Sequence, residues 1–167
     1  MLEEVGVPYE TVILEYGTTM KAPEYLAINP MGKVPAIRHG AAVVTECAAI
    51  CAYLADAFPQ AKLAPSLTNR ANYYRWLFFA AGPLESAIIN TSLGFVEPKE
   101  REVSAGYGNL YIAGEAFCAA DVYVGSQVAW GLQFGTIEKR DAFMRYAACV
   151  TDRDAYRRAN ELDGSMN

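Results

Sequence analysis

The residues best suited to hold a small ligand fall within 29–50. They read Asn-Pro-Met-Gly-Lys-Val-Pro-Ala-Ile over 29–37 and Val-Val-Thr-Glu-Cys-Ala-Ala-Ile over 43–50, with a short turn between. A cis bond at Val34-Pro35 costs only about 0.5–1 kcal/mol before proline. It would leave the N–H and C=O of Val34 free to pair with a ligand backbone. Pro35 cannot donate to a ladder, so it belongs at a strand start or an edge. A helix opening near Glu46 offers unpaired N–H groups to a carboxylate, and Glu46 itself can hold an ammonium. Strand-like pairing, an anion pocket and a counter-charge together suit a small anionic peptide.

Local elements must position these groups. Asn29-Pro30 and Gly32 are turn chemistry. Ala36-Ile37, ended by Arg38-His39-Gly40, and a second run over 41–45 predict a β-hairpin. Ile50, Tyr53, Leu54, Ala57 and Phe58 then recur at helical spacing, which predicts a helix from about Glu46 to Phe58. Upstream, Leu2 to Val5 has the pattern of a helix tail stopped by Gly6 and Pro8. Tyr9 to Leu14 alternates like a strand, and Lys21 to Ile28 suits a short helix. Downstream, residues 59–69 form a linker. A long aromatic helix follows over 70–93, kinked at Gly82-Pro83. Residues 97–109 are polar, and the Lys99-Glu100-Arg101 run within them is a solvated face. Residues 119–134 form an apolar helix opened by Cys118-Ala-Ala-Asp121. In that box Asp121 reaches back to the N–H of residue 118, while Cys118 is a weak forward cap. Two amphipathic helices, over 141–151 and 153–162, complete the chain.

The ordered match Asn-Pro-Met-Gly-Lys-Val-Pro-Ala-Ile, then Thr-Glu-Cys-Ala-Ala-Ile-Cys-Ala-Tyr-Leu, resembles the glutathione-binding half of the glutathione S-transferase family, closest to its bacterial members. Residues 111–114 and the Asp121-Val-Tyr-Val-Gly-Ser126 stretch strengthen the likeness. The resemblance implies an α/β thioredoxin-like N-terminal domain over 1–60 and an all-α C-terminal domain over 66–167. It implies that Val34 and Pro35 clamp the cysteinyl backbone of glutathione. Glu46 and Cys47 would hold its γ-glutamyl end, and Lys33 would approach the glycyl carboxylate. Cys47 departs from the usual Ser or Thr; a thiol is the weaker hydrogen-bonding group, so affinity should fall.

The family places a strand and most of a helix ahead of the residue matching Met1, and the loop there carries the sulfur-activating Ser, Tyr or Cys. The thioredoxin-like domain is therefore expected to be incomplete, and the catalytic residue is unknown. A further family helix, between the matches of Gly108 and Tyr111, is expected to be missing. The family reaction adds glutathione sulfur to an electrophilic carbon. By resemblance the partners are glutathione as co-substrate, an apolar electrophile and a second copy of the chain. Isomerisation, dehalogenation or peroxide reduction would use the same fold. The rival class is a non-catalytic glutathione-binding or interaction module.

Composition narrows the alternatives. The 167 residues carry a formal net charge of −5, which argues against nucleic acid as a partner. No apolar run approaches a membrane span, and the N-terminal residues do not read as a signal peptide. Four cysteines are too few for a disulfide scaffold and fit a reduced, cytoplasmic protein. Cys47 and Cys51 share a helix face, but His39 is the single histidine and no metal set is apparent. Small buried side chains are the plainer reading of that pair. The sharper one gives Cys47 a lowered pKa at a helix start and a mixed disulfide with glutathione. The aromatics over 73–79 are mainly core or subunit contact; Tyr107 and Trp130 are pocket candidates, and Arg75 suits an internal ion pair.

Overall fold

A computed structural model describes residues 1–95 and 111–164. The sequence expectations at 97–109, including Tyr107 and the charged run over 99–101, and at the junction before Tyr111 lie largely outside those residues.

The first half is α/β. Leu2–Val5 forms α1, and Gly6 ends it at φ 73° and ψ 28°, a left-handed conformation that costs glycine little. Tyr9 to Leu14 is not a strand. A strand needs a ladder partner, and among the described residues no backbone–backbone hydrogen bond reaches 7–14. Val12 and Ile13 stand 80 % and 83 % exposed, so the alternation has no surface to face. The helix expected over 21–28 contracts to α2, Pro23–Leu26, behind a tight turn at Thr19–Lys21. Pro23 opens α2 where a missing N–H is harmless.

The hairpin forms as β1, Ala36–His39, and β2, Ala42–Thr45, paired antiparallel with Ala36 opposite Thr45 and His39 opposite Ala42. Gly40, at φ 59°, takes the first position of the two-residue loop, where hairpin turns favour glycine. The chain leaves β2 directly into α3, Cys47–Ala57, which buries Ile50, Cys51, Leu54 and Ala55.

Among the described residues the second half is built of helices, with an isolated antiparallel bridge between Tyr111 and Gly114 ahead of the last three of them. The long aromatic segment divides into α4, Ala71–Phe79, a π-helical stretch over Ala80–Leu84, and α5, Glu85–Ser92. Pro83 sits inside the π stretch. Proline lacks an N–H and clashes with the preceding turn of a regular helix; widening that turn accommodates it. α6, Ala119–Phe134, is followed by α7, Asp141–Thr151, and α8, Asp154–Asp163. Both halves of the capping box at Cys118 and Asp121 are in place. The fully buried Asp121 carboxylate accepts from Ile112 N–H (2.7 Å), Cys118 N–H (3.0 Å) and Tyr146 hydroxyl (3.1 Å). α7 packs closely on α6, since a Cβ at Gly125 would fall 2.7 Å from Val150 Cγ2.

One core runs through both halves. Ile50, Cys51 and Leu54 of α3 share it with Tyr73 and Leu77 of α4 and with Tyr123, Val124 and Val128 of α6. Ion pairs also fasten α1 to the last helices. Glu4 meets Arg153 at 2.7 Å and Glu3 meets Arg158 at 2.6 Å, while Arg153 lies 3.7 Å from the centre of the Phe117 ring. No described helix is long and apolar enough to cross a membrane.

Candidate functional site

The loop before β1 presents Val34 outward by fixing its neighbour inward. The Lys33 carbonyl accepts from Tyr25 hydroxyl at 2.6 Å and from Asn29 Nδ2 at 2.7 Å. Asn29 Oδ1 in turn accepts the Met31 N–H at 3.1 Å, an Asx-type turn. Lys21 Nζ donates to the Gly32 carbonyl at 2.7 Å. Gly32 has φ 57°, and a Cβ there would meet that Nζ at 2.9 Å, so both conformation and space call for glycine.

With Lys33 held, Val34 is half exposed. The Val34–Pro35 bond is cis. Among the described residues neither the N–H nor the C=O of Val34 has a hydrogen-bond partner, which leaves one strand-like donor and one acceptor open. Lys33 is exposed next to them.

Glu46 joins β2 to α3 at φ 69° and ψ 124°. Such a backbone costs a non-glycine residue about 1–3 kcal/mol and is typical of ligand sites. No side chain caps α3, so its first-turn N–H groups remain open to an anion. Glu46 is exposed at that opening, with the half-buried Cys47 after it.

Burial pushes the Cys47 thiol above its ordinary pKa, and the Glu85 and Glu46 charges add to the shift; its own backbone N–H and the Tyr123 hydroxyl oppose it. The lowering expected from a helix start is thus overridden. Burial pushes Cys51 further, to about 12. Cys47 is therefore no activated nucleophile. Tyr123, from α6, donates to Glu85 Oε2 at 2.7 Å and brings the second half of the chain to the opening of α3.

The structure thus brings Val34, Pro35, Glu46 and Cys47 onto one stretch of the molecule around β1, β2 and the start of α3. Sequence reasoning missed Tyr25, Asn29, Glu85 and Tyr123. Asn29 carried a signal, since an Asn before Pro can bond its own loop; the Tyr123–Glu85 pair spans 38 residues and carried none. The other pocket candidates divide. Tyr73 and Leu77 are core, whereas Phe78 and Trp130 are exposed. Arg75 stacks on Trp76, 5.0 Å from the ring centre, and among the described residues it forms no ion pair.

The described residues have the architecture of the glutathione S-transferase fold, a thioredoxin-like sheet and helices followed by a helical domain. The family model "Glutathione S-transferase, N-terminal domain" matches residues 1–57. Glutathione S-transferase GstB of Escherichia coli is 32% identical over 143 residues, covering 80% of this chain and 68% of the relative. Glutathione S-transferase GST-4.5 of Xanthomonas campestris pv. campestris is 27% identical over 183 residues, covering 94% and 89%. A theta class glutathione S-transferase from Xanthomonas axonopodis pv. citri, solved with glutathione bound, superposes with a TM-score of 0.76 at 25% identity, covering 94% and 86%. The chain belongs to the glutathione S-transferase family, a family of transferases.

Proposed function

We propose that this protein binds glutathione at Lys33, Val34, Pro35, Glu46 and Cys47 and transfers its sulfur to apolar electrophiles. One observation carries the reading: the unpartnered backbone of Val34 lies in the same loop–hairpin–helix unit as the uncapped start of α3 and the Glu46 carboxylate. The Val34 N–H and C=O pair with the cysteinyl backbone of the ligand. The α3 N–H groups take the α-carboxylate at the γ-glutamyl end, and Glu46 takes the ammonium. Lys33 faces the glycyl carboxylate. A similar fold solved with glutathione bound supports the assignment.

In the reaction the thiol loses its proton to solvent, and the thiolate forms a C–S bond to the electrophilic carbon. With an aryl halide, the halide leaves with the electron pair of its bond. Holding both reactants together supplies much of the rate gain. Residues 1–60 hold glutathione, and residues 66–167 bring the apolar surface for the co-substrate, which includes the exposed Trp130. The exposed Phe78 and Tyr74 on α4 suit a homodimer contact. Free thiols at Cys47, Cys51, Cys118 and Cys149 suit the reducing cytoplasm.

Calorimetry with glutathione and steady-state conjugation of an activated aryl chloride test the proposal together. Expected results are saturable binding, its loss in Glu46→Lys, and turnover. Binding without turnover would leave a glutathione-binding module in place of an enzyme. No binding by well-folded protein would overturn the assignment.

A further inference from the structure

We propose that α8 is an ionic clasp on α1, a helix that docks through charge and lets go as salt rises while the rest of the molecule stays folded. Among the described residues of α8, Ala155 alone is buried, and Leu162 is 61 % exposed. A helix with so small an apolar face gains little from burial, so other contacts must hold it. Its main packing partners are α1 and α7, and guanidinium groups make the polar contacts toward α1.

Arg153, at the N-cap of α8, forks onto Glu4: Nε donates to Oε1 at 2.8 Å and Nη2 to Oε2 at 2.7 Å. Farther along, Arg158 Nε donates to Glu3 Oε2 at 2.6 Å and Nη2 to the Glu3 carbonyl at 3.2 Å. Glu3 Oε1 accepts from the Tyr9 hydroxyl at 2.8 Å, so the clasp reaches the segment after α1. Arg157 stays on its own side and donates to Asp152 at 2.8 Å and Asp154 at 2.6 Å. Forked guanidinium–carboxylate pairs are the stronger kind, yet salt weakens them where water reaches. Water does reach them, because an open cleft of about 440 Å³ is lined by these charged groups and Ala155. Release would bare the Phe117 ring, which lies 3.7 Å from the Arg153 guanidinium, and would loosen α1, which packs on α3. The clasp is independent of what the α3 opening binds.

Four carboxylates (Glu3, Glu4, Asp152, Asp154) meet three guanidiniums (Arg153, Arg157, Arg158) at the cleft. That excess of one negative charge predicts an asymmetry. Glu3→Gln and Arg158→Gln break the same ion pair, but the first leaves the charges balanced and the second leaves two carboxylates in excess.

Hydrogen–deuterium exchange on the full chain at neutral pH tests the proposal, with the α3 and α6 amides as internal reference. Raising sodium chloride from about 0.01 M to about 1 M shortens the screening length from roughly 30 Å to roughly 3 Å. Exchange across α8 should then quicken about fivefold or more, and across α3 and α6 less than about twofold, as for a local opening. In low salt Arg158→Gln should speed α8 exchange more than Glu3→Gln, and high salt should narrow the gap. Should either variant fail to fold, the wild-type salt comparison decides alone. Unchanged α8 exchange in high salt, or a quickening that α3 and α6 share equally, would overturn the proposal, as would equal effects of the two substitutions in low salt.

Discussion

The inward clamp on the Lys33 carbonyl gives a non-additive prediction. Tyr25→Phe removes one hydrogen bond of 2.6 Å and leaves the carbonyl its Asn29 partner. The cost should be about 1 kcal/mol, the ordinary net value of one intramolecular hydrogen bond. Asn29→Ala removes the 2.7 Å bond to the carbonyl and the 3.1 Å bond from Met31 N–H. Met31 is exposed, so its N–H turns to water, and the cost should be about 1–2 kcal/mol. The double variant strands a part-buried carbonyl with neither donor. An unsatisfied buried acceptor costs about 1–3 kcal/mol in addition, so the double loss should exceed the sum of the singles by about 1 kcal/mol or more. Urea unfolding of the four chains measures this directly. Each kcal/mol lost should lower Tm by about 2–4 °C in a chain of this size. Glutathione affinity should fall in the same order, because Val34 is displayed by the loop that these bonds hold. Additivity within about 0.5 kcal/mol, the range for independent sites, would refute the claim that both donors serve one carbonyl.

Other outcomes follow from packing and charge. Gly125→Ala should destabilise by about 1–3 kcal/mol through overpacking, and Val150→Ala in the same chain should recover part of the loss, as read by thermal melting. Glu3 is held below its ordinary value of 4.5 chiefly by the Arg158 guanidinium, then by the Tyr9 hydroxyl. A carboxylate lowered on folding adds stability that is present above about 4.5 and lost as pH falls through the lowered value. Glu3→Gln should therefore be less stable than wild type at neutral pH and match it in strong acid, as read by melting across pH 2–7. The raised Cys47 pKa predicts no mixed disulfide after treatment with oxidised glutathione at pH 7.5; mass spectrometry of the intact protein checks this, and an adduct at Cys47 would contradict the burial argument.

What could be read from sequence was what is locally determined. The hairpin, α3 and α6 depend on spacing, turns and caps within a few residues, and each forms close to its expected bounds. The Tyr9 to Leu14 strand failed because alternation records a preference for a pleated surface and cannot supply the partner. The Gly82-Pro83 break was visible, but its form, a π-helical turn that carries the helix on into α5, is not marked by residue type. At the site, Val34, Pro35 and Glu46 could be picked out as candidates because the features that mark them, an X-Pro bond and a helix start, are local in sequence. Asn29 and Tyr25 act through the carbonyl of Lys33, a backbone role that the residue types do not display. For Cys47 the plainer reading, a small buried side chain, agrees with the raised pKa, and the lowered thiol of the sharper reading does not. Helix-start electrostatics is local, whereas the burial and the Glu85 charge that outweigh it come from elements far along the chain.

The shared hydrophobic interior has a consequence for how the molecule comes apart. Because α3 contributes Ile50, Cys51 and Leu54 to the same cluster as α4 and α6, neither half can shed its water-avoiding face without the other. Heating should give a single calorimetric peak, with no state in which the hairpin segment has melted and the helices persist. A protease nick in the 62–69 connection should leave two pieces that stay associated and still titrate with glutathione, while either piece produced separately should aggregate.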